Sequence, residues 1–193
     1  MSPPQRDTAR RFGPMPSETM TPEQRAVANA ILSGPRGGST GLRGPFEALL
    51  HSPGLAEPAQ RLGAHIRFAS SLPAALNEMA ILMTARRWTA QFEWHAHRLM
   101  AIDAGLDPAV ADAIAAGSRP ELDGDGEAVY DFASQLLDTG QVTDEAWEAV
   151  VTRWGKQGAI DLIGAVGYYC LVSFILNVDR YPVPGGVLPL GPR

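Results

Sequence analysis

The most informative absence in this chain is that of cysteine. Cys170 is the only cysteine among 193 residues. The chain therefore cannot form an intrachain disulfide, a CxxC redox pair or a zinc site built from several cysteines. A two-cysteine thiol–disulfide enzyme is excluded before any motif is considered.

An excess of positive charge is also absent. The chain has 16 Lys and Arg residues against 21 Asp and Glu residues, which gives a formal net charge of −5. Proteins that bind nucleic acid or anionic membranes usually present a basic surface. We therefore expect neither partner and take a small molecule as the expected ligand.

Long hydrophobic runs are missing as well. The longest apolar stretch covers residues 162–176, roughly 15 residues against the roughly 20 that a membrane-spanning helix needs. The first residues contain no apolar segment of the kind found in secretory signals. These patterns favour a cytoplasmic protein without a membrane partner.

Helical patterns separated by proline and glycine fill most of the chain. Apolar residues recur at helical spacing, and the alternation typical of strands is nearly absent. The sequence predicts an all-α, single-domain helical bundle over residues 21–181, with an extended arm over 1–20 and an extended tail over 182–193. The predicted helices cover 22–33, 46–51, 55–70, 74–87, 89–105, 108–116, 126–138, 143–154 and 157–177.

Side chains able to carry chemistry are concentrated between residues 78 and 97. Glu93 and His97 are four residues apart, so a helix places them on one face, one turn apart. A carboxylate in that position can orient the imidazole and raise its pKa, which suits general acid–base catalysis. Ordinary surface ion pairs have the same spacing, so the spacing alone leaves both interpretations open.

Glu78 can join this pair only if the chain reverses between them. It precedes His97 by 19 residues, and one straight helix would separate the two side chains by about 28 Å. Trp88–Thr89 is the natural break, with Thr89 as the N-cap of a second helix. A hairpin there would return Glu78 toward His97.

The segment Glu93-Trp94-His95-Ala96-His97, preceded by Glu78, resembles the core motif of the carboxymuconolactone decarboxylase family, which includes the alkylhydroperoxidase D-like proteins. The similarity covers roughly residues 25–185 and implies an alkylhydroperoxidase D-like all-α bundle. The further matching segments are Arg43-Gly44-Pro45-Phe46 with Ser52-Pro53, Ala80-Ile81-Leu82, Gly105-Leu106, and Gly167-Tyr168-Tyr169 with Asn177.

The departure from the family's peroxidases concerns their two cysteines. In those members a CxxC pair occupies the positions of Ala90 and Glu93. Attack on a peroxide by a thiolate requires a cysteine, so alkylhydroperoxidase or peroxiredoxin-like activity by that route is disfavoured. A peroxidase that uses Cys170 is a separate possibility, although this residue lies in an apolar helix away from the motif.

The resemblance implies a cofactor-free lyase that acts on a small carboxylated lactone or a related intermediate of aromatic-compound degradation. In that reaction His97 would donate or accept the proton, Glu93 would orient it, and Glu78 would be a second acid or base. The same residues would also serve isomerisation or lactone hydrolysis. A family member that binds a ligand without turning it over is the alternative.

Substrate binding and assembly complete the set of expectations. A carboxylated substrate calls for a guanidinium partner, for which Arg86 and Arg43 are the candidates, and Trp94 is a candidate pocket wall.

Family members form trimers or hexamers, and the apolar 162–176 segment needs more cover than a bundle of this size provides. We therefore expect a homo-oligomer.

Other possible sites are weaker. His95 and His97 would point about 200° apart on a helix, so no metal site is expected. The glycine-rich segment 34–41 lacks the Gly-Lys-Ser/Thr ending of a phosphate-binding loop and is predicted to be a flexible loop. His51 and His65 are single histidines that are expected to be structural or surface residues.

Overall fold

A computed structural model of the chain describes residues 9–35 and 42–192. Within these residues the fold is all-α, with no β-strand, so the predicted fold class is confirmed. The helices are α1 (Pro22–Ser33), α2 (Pro45–Leu49), α3 (Pro53–Phe68), α4 (Ala74–Arg87), α5 (Gln91–Asp103), α6 (Pro108–Ala116), α7 (Gly124–Thr139) and α8 (Asp144–Asp179).

Local capping signals explain several of these boundaries. Thr21 and Gln24 form a reciprocal capping box at the start of α1, which satisfies amide groups that have no partner inside the helix. The Asp107 side chain accepts a hydrogen bond from the Ala109 amide at the start of α6, and Gly117 ends that helix in the left-handed conformation. These ends agree with the predicted ones.

Helix α4 lies at the centre of the bundle. Its residues from Asn77 to Ala85 are all buried, and the helix packs against α5, α6, α7 and α8. One apolar cluster lies on the side of α6 and α7, and a second contains residues of α1, α2, α3 and the C-terminal half of α8. A polar side chain that points from α4 between these clusters is therefore held away from water.

The turn between α4 and α5 differs from the prediction. The N-cap of α5 is Ala90 rather than Thr89, and Thr89 adopts the left-handed conformation with φ 49°. The amide of Ala90 donates to the carbonyl of Ala85, and that of Thr89 donates to Arg86. This is a Schellman closure of α4, and because the connection is so short, α5 runs back along α4.

The two helices predicted over 143–154 and 157–177 are the two segments of α8, which meet at a kink. The backbone at Gly155 is non-helical, with φ 66° and ψ −177°, so the break lies where the sequence predicted it. Among the described residues α8 alone is long and apolar enough to cross a membrane, and half of its most apolar window is buried inside the fold. Such burial is also found in the core helices of soluble proteins, so this helix gives weak guidance on location.

Both ends of the chain pack onto the bundle. Within the predicted arm, Arg10 contacts the carboxylates of Asp179 at 2.7 Å and Glu47 at 2.6 Å. In the predicted tail, Leu190 is buried, and its amide and carbonyl both bond to the side chain of Gln91. Residues 1–8 and most of the predicted glycine-rich loop (36–41) lie outside the described residues.

Candidate functional site

The reversal between α4 and α5 brings Glu78, Glu93 and His97 together. The Nδ1 atom of His97 lies 2.6 Å from Oε2 of Glu78, and its Nε2 atom lies 2.9 Å from Oε1 of Glu93. All three residues are at most 7% exposed. The imidazole is thus held between one carboxylate of α4 and one of its own helix.

This arrangement sets the charge of His97. Burial lowers the pKa of the imidazole, but the charges and hydrogen bonds of Glu78 and Glu93 outweigh it and raise the pKa to about 9. His97 is therefore an imidazolium at neutral pH, and each ring N–H donates to a carboxylate. The ring offers no lone pair to a metal ion, and in the part of the chain that the structure describes no cluster of His, Cys, Asp and Glu could hold one.

A small cavity of about 80 Å³ adjoins Glu93 and His97. The ring of Tyr169 forms one wall and meets the His97 ring edge-on, with 4.9 Å between the centroids. Burial and the charges of Glu93 and Glu78 raise the pKa of Tyr169 well above its ordinary value, so it stays a neutral phenol. Because a cavity of about 150 Å³ is needed to enclose benzene, this one encloses only a small part of a ligand.

Arg67 is a residue of this cavity that the sequence analysis missed. Its Nη2 atom lies 2.9 Å from the sulfur of Met100, and its Nε atom is buried without a hydrogen-bond partner. The side chain of Asn77, the neighbour of Glu78, donates to the carbonyl of Ile66 and so fixes the end of α3 beside the site. Among the described residues no carboxylate forms an ion pair with Arg67, and its guanidinium lines the same cavity as Glu93.

The predicted substrate-binding residues are distributed over three places. Arg43 is exposed and lines the His97 cavity, where it marks the opening to the surface. Arg86 lies two helical turns beyond Glu78 on α4 and lines a different cavity. Trp94 is 1% exposed and packs in the apolar core instead of lining the site. The structure thus brings the three acid–base residues and Arg43 together and leaves Arg86 and Trp94 apart from them.

No spacing rule marks Arg67 in the sequence. It is a basic residue in the last turn of α3, where a cation is favourable for any helix because of the helix dipole. Only the packing of α3 on α4 places its side chain in the wall of the His97 cavity. An arginine at a helix end is therefore a signal too common to have singled it out.

Cys170 lies outside the His97 cavity. The indole nitrogen of Trp88 is 3.1 Å from its sulfur, where it donates a hydrogen bond. Burial raises the pKa of the thiol above its ordinary value. Because the thiolate is the reactive form, these surroundings are those of an unreactive cysteine.

His65 provides a useful contrast with His97. Its ring is half exposed, and its Nε2 atom lies 3.3 Å from a carboxylate oxygen of Asp161, which also accepts hydrogen bonds from Ser71. Among the described residues Asp161 is the one acidic partner of His65. In that part of the chain two histidines pair with a carboxylate, and of these only His97 is buried between two carboxylates.

Comparison of the chain with models of known protein families and with curated proteins gave no match.

Proposed function

We propose that the protein is a cofactor-free acid–base enzyme of the carboxymuconolactone decarboxylase type, which acts on a small carboxylated molecule. The observation that carries the proposal is the imidazolium of His97 between two buried carboxylates, beside a cavity that is also lined by Arg67, whose Nε atom has no hydrogen-bond partner. Enzymes place strongly perturbed titratable groups at such sites. The similarity of the Glu93–His97 segment to that family supports the same choice.

Within the proposal, Glu93 is the group that meets the substrate. It lines the cavity together with His97, whereas Glu78 is bonded to the other ring nitrogen and does not line the cavity. The Nε2 proton of His97 passes to the substrate by way of the Glu93 carboxylate, and Glu78 holds the Nδ1 proton so that the ring keeps its orientation. This assigns His97 as the proton source and Glu93 as its carrier.

Arg67 is proposed to hold the substrate's carboxylate. A guanidinium binds a carboxylate through two parallel hydrogen bonds, and the Nε atom of Arg67 has none at present. The small cavity encloses the carboxylate and the reacting carbon, and the rest of the substrate projects past Arg43 to the surface. A substrate with a carboxylate near one end fits this shape.

The proposed reaction is decarboxylation. The bond between the leaving carboxylate and carbon breaks, and its electron pair moves onto an adjacent carbonyl as an enolate. The proton relayed from His97 then adds to the carbon, and water returns a proton to His97 after the product leaves. Isomerisation and lactone hydrolysis also need an acid and a base, although the protons are taken from carbon or from water, and the same residues would serve them.

Ligand binding without turnover is the second candidate. The observation that favours it is that both ring nitrogens of His97 are already bonded to carboxylates. In that case Arg67 would still bind carboxylates, and the buried cluster would only shape the cavity. The two candidate functions differ in whether the protein adds a proton to a carbon atom of its ligand.

The test is turnover of a panel of small carboxylated lactones and β-keto acids in D₂O, followed as carbon dioxide release and deuterium incorporation. We expect Glu93→Gln and His97→Gln to lower kcat by about 100-fold or more, as removal of an acid–base group does. Arg67→Gln should chiefly raise KM. His65→Gln, which removes a histidine from a carboxylate elsewhere, is the matched control and should leave both constants unchanged.

Full activity in Glu93→Gln and His97→Gln would contradict the catalytic assignment. Binding of the carboxylates by the wild type but not by Arg67→Gln, without turnover of any panel member, would instead support ligand binding.

A further inference from the structure

A second and larger cavity lies on the far side of α4. Its volume is about 470 Å³, within the range of roughly 300–1,000 Å³ that is usual for small-molecule sites. Residues of α4, α6 and α7 form its walls, and the C-terminal tail reaches it at Pro192. The cavity shares no lining residue with the His97 cavity.

Arg86 supplies the charge of this second cavity. Its guanidinium lies beside Gly117, which ends α6, and one terminal nitrogen has a long contact of 3.3 Å with the carbonyl of Gly191. The Nε atom is buried without a hydrogen-bond partner. A buried donor without a partner is unfavourable by about 1–3 kcal/mol, so this position favours an acceptor that the described residues do not supply.

The other charges of the cavity offset each other. Arg87 and Asp138 both line it, and their side chains form an ion pair at 3.1 Å. Among the described residues Arg86 forms no ion pair, which leaves the lining with one uncompensated positive charge. A ligand with a single negative charge would therefore be matched, and a dianion would not.

The walls combine polar surface with an apolar patch. Met83, Ile114 and Leu137 contribute the apolar surface, and Tyr130 and Ser134 contribute hydroxyl groups. The apolar patch can hold the body of a small organic molecule while the polar groups fix its orientation. The planar fork of a guanidinium matches a carboxylate better than it matches a spherical anion.

We propose that this cavity binds a small organic monocarboxylate with a ring or short apolar body, whose carboxylate is held by Arg86. The site is separate from the acid–base cluster and does not depend on the function proposed for it. Its ligand lies against α4, the helix that carries Glu78.

The experiment is a titration of the full-length protein with sodium benzoate, followed by ¹H–¹⁵N NMR. Benzamide serves as the neutral analogue and inorganic phosphate as the anion without an apolar body. We expect benzoate to shift the amides of Gly117 and Gly191 and to bind at least tenfold more tightly than benzamide or phosphate. Arg86→Gln should lose that tenfold preference, and Arg86→Lys, which keeps the charge but not the fork, should retain part of it.

Arg61→Gln is the matched control, because it removes an exposed arginine of α3 that lines neither cavity. Its benzoate affinity should equal that of the wild type. Arg67 is itself proposed to bind carboxylates, so the amides of Gly117 and Gly191 are the signals that report binding at Arg86. The proposal is overturned if Arg67→Gln loses the binding while Arg86→Gln keeps it, if benzamide binds as tightly as benzoate, or if phosphate does.

Discussion

At the scale of the residue, His97 stabilises the fold only while it is protonated. Its pKa is about 9 in the folded protein, against an ordinary value of about 6.5 in the unfolded chain. The folded state therefore binds the proton more tightly than the unfolded state. The stabilisation is fully present below about pH 6.5 and is lost as the pH rises through about 9.

We therefore expect the free energy of unfolding to fall by about 3 kcal/mol between about pH 6.5 and pH 9.5, since each pKa unit corresponds to about 1.4 kcal/mol. Urea denaturation followed by tryptophan fluorescence at several pH values measures this slope. His97→Gln should flatten the slope in this window, and His65→Gln should preserve it. Equal slopes in the wild type and His97→Gln would show that His97 does not cause the pH dependence of the free energy of unfolding.

At the scale of the element, the Schellman turn between α4 and α5 brings the residues of the site together. Its C′ position is Thr89, with φ 49°. Glycine is the usual residue there, because a side chain in the left-handed region costs about 1–2 kcal/mol. The chain thus holds a strained residue at the point that brings Glu78 back to His97.

Replacement of Thr89 by glycine is expected to stabilise the protein. The relief of strain exceeds the extra entropy of glycine in the unfolded chain, so we expect a net gain of about 0.5–1 kcal/mol and a rise in Tm of roughly 1–4 °C. Thr152→Gly, the same change at an exposed position inside α8, is the control and should lower the Tm. A fall in Tm for Thr89→Gly of similar size would show that the turn is unstrained.

The sequence predicted the elements better than it predicted their contacts. The ends of α4 and α6 could be predicted because their signals are local, such as Asp107-Pro108 at the start of α6. The break at Trp88–Thr89 was also predicted, but its type was not, since threonine is rarely left-handed. The position of Arg67 depends on how α3 packs on α4, and no local pattern contains that information.

At the scale of the whole molecule, the outward face of α8 remains apolar. Ile160, Ile163, Phe174 and Val178 are each 40–65% exposed and recur at spacings that place them on one side of a helix. Gly164 and Gly167 lie on or beside this stripe with open space in front of them. A regular stripe with small residues allows close packing against the same stripe of a second copy.

We expect two copies to pack through this stripe, so that the protein is a homo-oligomer. Light scattering at tens of micromolar should give a mass at least twice 20.6 kDa. Ile160→Asp and Ile163→Asp should shift the protein toward the monomer, and Val187→Asp, in the exposed tail, should not. A wild-type monomer, or a stripe that binds lipid vesicles instead, would contradict this assembly.

The proposed chemistry depends on His97 being a buried imidazolium that is hydrogen-bonded to two carboxylates. ¹⁵N NMR of histidine-labelled protein tests it most directly, with His97→Gln to assign the signal among the four histidines. We predict that both ring nitrogens of His97 are protonated at pH 7 and that the ring titrates with a midpoint near pH 9. A single protonated nitrogen at pH 7, with a midpoint near the ordinary value of about 6.5, would contradict it.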